Sequence, residues 1–233
     1  MGGERGMLLE ERSADESARD YALRMLKKNI VSMAIKPGEM VSEKEIAMQL
    51  GISRTPVREA LQDLAKWQMV EILPQRGSRV ALIDYALVEE SRFLRLVLEK
   101  AIVELACGMA TPQDLYALRE CCQRQAFCLA QTPPDSDQMM ELDDAFHALI
   151  FKAAHKEQTY SVLRGMTLHF DRVRTLALSV VKNSRILSDH QELIEAIAAH
   201  DAPRAQEIVT RHLTRYQVDS EAISRQYPEY MKK

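Results

Sequence analysis

Asp143 and His147 lie four residues apart in ELDDAFHALI, so on a helix a carboxylate and an imidazole share one face. His190, near the start of a helical stretch in SDHQELIEAI, and His212, mid-helix in VTRHLTRY, are two more imidazoles. One carboxylate oxygen and three imidazole nitrogens from three helices suit a borderline divalent ion: zinc, nickel, cobalt or iron, with zinc expected in purified protein. A six-coordinate ion held this way keeps positions open for water or a ligand. Spacing does not show that the three helices meet, and a lone histidine in a helix is usually a core or surface residue. On the residues alone both readings stand. A metal held by such a set can activate water, yet no general base is evident beside it. Glu141 and Asp144 are the nearby carboxylates, and Asp144 is turned about a hundred degrees from Asp143 on an ideal helix. Neither HExxH nor His-x-His spacing occurs. No catalytic residue is assigned; the expected role is sensing, with the metal taking the carboxylate or hydroxyl of a small organic acid. His155 and His200 fall near helix ends, where a partly charged imidazole is favourable against the dipole. His169 is a candidate for a cavity wall.

A second chemistry lies in Leu50–Val80, LGISRTPVREALQDLAKWQMVEILPQRGSRV. Gly51 suits a tight turn between two helices because it takes positive φ without steric cost. Ser53 is the expected N-cap, with Thr55 competing, and Pro56 fits the first helical position. Val57, Ala60, Leu61 and Leu64 form an apolar stripe at helical spacing. Arg54 and Arg58 project from neighbouring turns near the start of that helix, the end of a recognition helix that reaches guanine edges or phosphates in the major groove. Ser53 and Thr55 are candidate phosphate contacts. Val70–Leu73 and Gly77–Val80 read as two strands, with Pro74-Gln75-Arg76-Gly77 as the tip between them. Arg76 beside Gly77 is placed to enter a minor groove or touch a phosphate. The chemistry is duplex DNA binding.

These groups need elements to position them. Helix-period spacing predicts a first helix over 17–33 and, after the Pro37-Gly38 turn, a second over 43–50 begun by a Ser42/Glu45 capping box. The recognition helix follows over 55–66. Beyond Asp84 no strand pattern is convincing, and helices are expected at about 84–107, 112–130, 136–154, 158–180, 185–199 and 203–225. Asp84 is a candidate cap for the first; Thr111-Pro112 and Ala202-Pro203 open two others, and Thr132-Pro133-Pro134-Asp135 is a clear break. The fold class is an N-terminal winged helix-turn-helix, small α+β, followed by an all-α bundle of about six helices. Expected domains are a flexible tail over 1–16, a DNA-binding domain over 17–80, an effector-binding and dimerisation domain over 84–226, and a C-terminal tail over 227–233.

The net charge of −3 conceals an asymmetry: residues 17–80 carry 11 Lys/Arg against 7 Asp/Glu, whereas residues 81–233 carry 18 against 22. A basic head on an acidic body suits a DNA reader joined to a domain with another task. Cys107, Cys121, Cys122 and Cys128 show no CxxC spacing, and no secretory signal precedes them, so a reduced, cytoplasmic protein is expected. No apolar run is long enough to span a bilayer.

GISRTPVREAL followed by a PQRG-type wing resembles the winged helix-turn-helix of GntR-family transcriptional regulators. Members commonly have Gly-Leu-Val after the recognition helix; Gln68-Met69-Val70 stand here, which puts the local turn geometry in question. Asp143-x-x-x-His147, then His190 ahead of ELIEAI, then Arg211-His212-Leu213 resemble the metal-binding C-terminal ligand domain of the FadR-type GntR regulators. The resemblance implies Asp143, His147, His190 and His212 as the four metal ligands, and a domain that senses metabolites without catalysing a reaction. RLVLEKAIVELA resembles the Arg-x-x-x-Glu opening of that domain. Arg95 and Glu99 are either a simple helix pair or, as the resemblance implies, Arg95 holds an effector carboxylate, for which its planar donors are suited. Arg172 and Arg174 in HFDRVRT are further cavity candidates or solvent-facing charges. The resemblance implies a one-component regulator, most often a repressor, working as a homodimer on a two-fold operator. Two rivals are a metal-dependent enzyme with an accessory DNA head and a metal-responsive DNA binder with no organic effector.

Overall fold

In the first helix, α1 (Ala18–Val31), Ser17 accepts a hydrogen bond from Asp20 N, and Tyr21, Ala22, Met25, Leu26 and Ile30 are buried. The computed structural model describes residues 7–132, 135–180 and 184–232. It divides into two units, Met1–Tyr85 with Tyr227–Lys233, and Ala86–Gln226. The expected tail over 1–16 is corrected where it is described. Leu8 N and O exchange hydrogen bonds of 2.6 and 2.9 Å with the buried Asn29 amide, and Tyr21 Oη donates to Glu10 O at 2.8 Å. Arg24 and Lys28 pair with Glu10, so residues 7–16 lie along α1; residues 1–6 are outside the described residues.

Ser42 caps α2 (Glu43–Leu50), and Gly51 ends it at φ 65°, ψ 30°. A Cβ at Gly51 would meet open space, so the left-handed backbone alone favours glycine there. In α3 (Arg54–Lys66) Ser53 is the N-cap residue without a side-chain cap bond, and Val57, Ala60, Leu61 and Leu64 are buried. Pro56 stands third in this helix, not first; the amide of that position has no helical acceptor either, so proline costs no bond. Strands β1 (Met40–Val41), β2 (Val70–Leu73) and β3 (Gly77–Val80) form an antiparallel sheet in the order β1-β3-β2. Leu73 pairs with Gly77 and Val70 with Val80, making the wing hairpin. β1 was not expected: Met40 and Val41 add a short edge opposite Arg79 and Ser78.

After α3, Gln68 N bonds Ala65 O at 3.0 Å and Met69 N bonds Leu64 O at 2.9 Å. That is a Schellman closure, with Gln68 at φ 55° in the left-handed position usually given to glycine. The turn geometry questioned from the sequence is therefore kept, at the cost of strain in Gln68. The expected C-terminal tail is also corrected. Ile83 pairs in parallel with Met231, Lys232 N donates to Ile83 O at 2.9 Å, and Lys232 Nζ meets Asp84 Oδ2 at 2.8 Å.

The second unit is all helical. Its helices are α4 (Tyr85–Met109), α5 (Pro112–Ala130), α6 (Ser136–Ala153), α7 (Glu157–Met166), α8 (Leu168–Val180), α9 (Ser184–Ala198), α10 (Ala202–Thr214) and α11 (Tyr216–Gln226). Thr111 and Asp114 form a full capping box with Pro112 at the first turn of α5. Pro133 and Pro134, expected as a break, are outside the described residues. The helix expected over 158–180 is two, separated at the buried Thr167, whose hydroxyl donates to Asp171 Oδ2 at 3.3 Å. The helix expected over 203–225 is likewise two. Thr214 Oγ1 turns back to Thr210 O at 2.8 Å just before the break, a side-chain bond that competes with continued helix. His155 (φ 53°) and His200 (φ 57°) take the same left-handed closing position as Gln68.

Replacing Gln68 with glycine should stabilise the head. Relief of a left-handed side chain is worth roughly 1–2 kcal/mol, offset by about 0.4–1 kcal/mol of added unfolded-state entropy. A net gain of about 0.5–1 kcal/mol in chemical denaturation is expected, and an unchanged or lower midpoint would refute the strain at Gln68.

Candidate metal centre and nucleic-acid face

Asp143 and His147 share the inner face of α6, His190 comes from the middle of α9 and not from its start, and His212 comes from the last turn of α10. One ligand atom from each lies within 4.8 Å of every other. His147 Nε2 is 3.3 Å from His212 Nε2 and 3.9 Å from Asp143 Oδ2, and His190 Nε2 is 3.4 Å from Asp143 Oδ1. Phe146 stacks on His190 with ring centroids 3.9 Å apart and fixes that imidazole in plane. The four residues predicted as ligands are brought together.

The opposite edge of each imidazole explains which nitrogen faces inward. Gln125 Nε2 donates to Leu142 O at 3.1 Å, so its Oε1 must be the atom 2.9 Å from His190 Nδ1. His190 Nδ1 therefore carries the proton and Nε2 keeps its lone pair. Glu99 Oε2 stands 2.8 Å from His147 Nδ1, and Asp189 Oδ2 stands 3.5 Å from His212 Nδ1, so a carboxylate faces each of these nitrogens, though neither pair has hydrogen-bond geometry. Acceptors behind ligating histidines have this orienting effect in metal sites. Asp143 Oδ1 and His190 Nε2 are buried and have no hydrogen-bond partner. Two orphaned, electron-rich atoms aimed at one point are costly unless a cation lies between them, so the donor set fits a divalent ion.

Electrostatics keep the donors in ligating form. Burial pushes Asp143 upward, but Arg174 and the three histidines outweigh it and hold the carboxyl well below its ordinary range. Burial likewise opposes ionisation of Glu99, and Arg95 and His147 overcome it. Burial lowers His147 against the pull of Glu99, and burial with His212 lowers His190 strongly.

Arg95 is not at the ligand face. Its Nε donates to Glu99 Oε1 at 2.6 Å, so it sits behind His147, with its guanidinium also over the Phe170 ring. The Arg95/Glu99 helix pair is present and buried, and Arg95 Nη1 is buried without a hydrogen-bond partner. Arg172 is fully buried, and burial pushes its pKa down to about 10; His169 is buried as well. The cavity that reaches Asp143 and His212 is small, about 60 Å³, and its wall also includes Arg174, Arg215, Met139 and Phe170. Arg215 is tied to Asp189 by Nε at 2.5 Å and Nη2 at 2.6 Å. Sequence reasoning missed Gln125, Asp189 and Arg215. Asp189 adjoins His190, which is a signal; nothing in the sequence singles out Gln125.

In the first unit, Arg54, Arg58, Arg76 and Gly77 line one concave surface together with Lys44 and Gln75. Ser53 and Thr55 are exposed near its edge. Gly77 at φ 96° and Gln75 at φ 61° turn the chain from β2 back into β3 at the wing tip. Arg58 is bound by Glu43, with Nε–Oε1 3.0 Å and Nη2–Oε2 2.9 Å, a pair the sequence did not suggest.

Residues 20–80 match the gntR family of bacterial regulatory proteins, and residues 90–215 match the FCD domain, a family that often binds metal. The chain is similar to the HTH-type transcriptional repressor RspR of Escherichia coli K12, 32% identical over 82% of this chain and 83% of that relative. It is 30% identical, over 91% of this chain and 88% of the relative, to an HTH-type transcriptional regulator in an unstable DNA locus of Streptomyces ambofaciens. The solved structure of E. coli McbR/YncC shares the fold with a TM-score of 0.76 at 22% identity, covering 91% of this chain and 99% of that one.

Metal-free protein should lose stability on mild acidification. His147 and His190 have lowered folded pKa values, while unfolded histidines titrate near about 6.5, so protonation favours the unfolded chain. The contribution is complete above that pH and declines below it, by up to about 1.4 kcal/mol per pH unit for each histidine. The lowered carboxylates add a second loss below about pH 4. Chemical denaturation from pH 7.5 to 5 after chelation checks this; a flat profile would refute it.

Proposed function

Because this chain belongs to the GntR family of bacterial transcriptional regulators and carries an FCD domain, we propose that it is a repressor whose operator affinity is set by a small organic acid bound at a divalent metal. Regulators of this family bind operator DNA and take ligands in the FCD domain; they are not enzymes. The observation that carries the proposal is the convergence of Asp143, His147, His190 and His212 beside a cavity with two arginines in its wall. Those four residues would hold zinc, nickel, cobalt or iron, with zinc expected in purified protein. The bound ion supplies an open coordination position for an oxygen anion.

Arg54 and Arg58 at the head of α3 read the major groove, and Arg76 with Gly77 reaches the flanking minor groove or phosphate. Ser53 and Thr55 contact phosphates. Arg174 is the leading effector contact, and Arg215 the second wall charge. Arg95 acts through Glu99 behind His147, and Arg172 and His169 are buried effector-binding candidates. The four cysteines are free and buried, and among the described residues no helix is long and apolar enough to cross a membrane. Operator DNA as partner implies a cytoplasmic protein.

A homodimer is part of the proposal. Phe93, Val97, Leu105 and Met109 are exposed on α4 and differ by multiples of four, which makes them one ridge of the helix. A second copy presenting the same ridge would cover it and give two heads for a two-fold site.

Selection of genomic DNA fragments by purified, zinc-loaded protein, with Arg58→Ala as control, tests the regulator reading. One enriched two-fold symmetric site is expected, with affinity for it falling about 10–100-fold in the variant. No enrichment over Arg58→Ala, with or without added carboxylic acids, would defeat it. His190→Ala should take up no zinc after chelator treatment, and Phe93→Asp should sediment as a monomer; stoichiometric zinc in the first, or a dimer in the second, would remove that part of the reading.

A further inference from the structure

Arg174 lies among three carboxylates. Its Nη2 donates to Asp143 Oδ2, its Nη1 donates to Asp171 Oδ1 at 2.6 Å, and Asp144 Oδ1 is 3.1 Å from both. Two of the three have another cation. Arg164 reaches Asp171 at 2.8 Å and Asp144 at 2.6 Å. Asp143 has Arg174 as its one arginine partner among the described residues. So the guanidinium holds the carboxylate that is also a candidate metal ligand, on the oxygen facing His147 Nε2.

The local charge is unbalanced in an informative way. Glu99, Asp143, Asp144 and Asp171 face Arg95, Arg164 and Arg174, a deficit of one positive charge. A divalent ion turns that deficit into an excess of one, which in a buried place calls for an anion. Arg215, the other arginine of the cavity wall, is committed to Asp189 through two donors. Arg174 borders the cavity, shares Asp143 with the candidate metal, and leaves Asp144 and Asp171 both in contact with Arg164 if it moves.

We propose that Arg174 is an exchangeable cation: it holds Asp143 until that carboxylate ligates a divalent ion, then turns to bind an oxygen anion, of the carboxylate class, in the cavity. This rests on the reading of Asp143, His147, His190 and His212 as a metal site. Arg174 makes anion binding conditional on the metal, because before exchange both of its terminal nitrogens are taken. Its planar fork matches a carboxylate in two parallel hydrogen bonds, which a lysine cannot reproduce.

The test is cobalt(II) titration of the chelator-treated full chain, followed by visible absorption, with acetate then added as the probe anion. Wild type should take up one cobalt per chain, and acetate should change the spectrum. Arg174→Gln should bind cobalt about tenfold more tightly, the competitor for Asp143 being gone, within the range usual for coupled sites. It should also lose most of the acetate response. Arg174→Lys, which keeps the charge without the fork, should bind cobalt as wild type does and respond weakly to acetate. Thermal unfolding checks that each variant folds, and Arg174→Lys decides the matter alone if Arg174→Gln does not. Cobalt affinity in folded Arg174→Gln equal to or weaker than wild type, or an acetate response that is absent in wild type or unchanged in either variant, overturns the exchange. No cobalt uptake by wild type removes the metal site itself; uptake with unaltered variants removes only the role of Arg174.

Discussion

Asp171 has no exposed surface, and the demand of an ionised group in that place orders much of the helical unit. An unpaired buried carboxylate costs several kcal/mol, so its partners have to be supplied by whatever helices surround it. Arg164 from α7, Arg174 from its own helix and the more distant Arg95 from α4 do so, and they hold its pKa down against burial. Through Arg164 and Arg174 the same charge set reaches Asp144 and Asp143 on α6. Four helices are thus tied by one requirement. The break at Thr167 belongs to it. Arg164 and Asp171 are seven residues apart, about 10.5 Å of axial rise in an uninterrupted helix, yet Nη1 meets Oδ2 at 2.8 Å, and the Thr167 hydroxyl shares that oxygen.

The imidazoles obey the same rule at smaller scale. A neutral buried histidine has one donor and one acceptor, and both need an answer. Gln125 answers the donor of His190, and the carboxylates of Glu99 and Asp189 face Nδ1 of His147 and His212, which leaves three Nε2 atoms converging with a carboxylate. Such a cluster of electron-rich atoms is a poor core and a good cation site. The arginine at Asp143 makes the same point, since a guanidinium already stands at one of the four oxygen and nitrogen donors.

What the sequence made legible divides by the range of the physics. Helix starts set by local capping, at Ser42 and Thr111, are where the residue pattern places them. The wing follows from turn residues and short apolar strands. Asp143 and His147 are readable as a pair because four residues on a helix is a local distance. The breaks at Thr167 and Arg215 were not legible, since apolar periodicity runs on through both; at each a local threonine bond, Thr167 to Asp171 and Thr214 to Thr210, stands beside an arginine–aspartate pair, Arg164 with Asp171 and Arg215 with Asp189. Arg95 shows the limit most clearly. Its spacing to Glu99 was plain, but which way the pair faced depended on His147, more than forty residues away, as the numbering shows. Gln68 is the converse: an unfavourable local choice survives because the Schellman bonds and the burial of Met69 hold the turn.

The last residues bear on how a signal could reach the DNA-binding unit. α10, which carries His212, is followed directly by α11, and the chain then enters the first unit at Tyr227. There Met231 pairs with Ile83 and Lys232 with Asp84, the residues at which the chain leaves the same unit for α4. Entry and exit are therefore bonded to each other within the head, by two backbone hydrogen bonds and an ion pair. α4 and α11 are thus the two covalent connections between the units. α4 carries Glu99, which backs His147, and α10 carries His212, so each connection begins at an element that holds part of the ligand set.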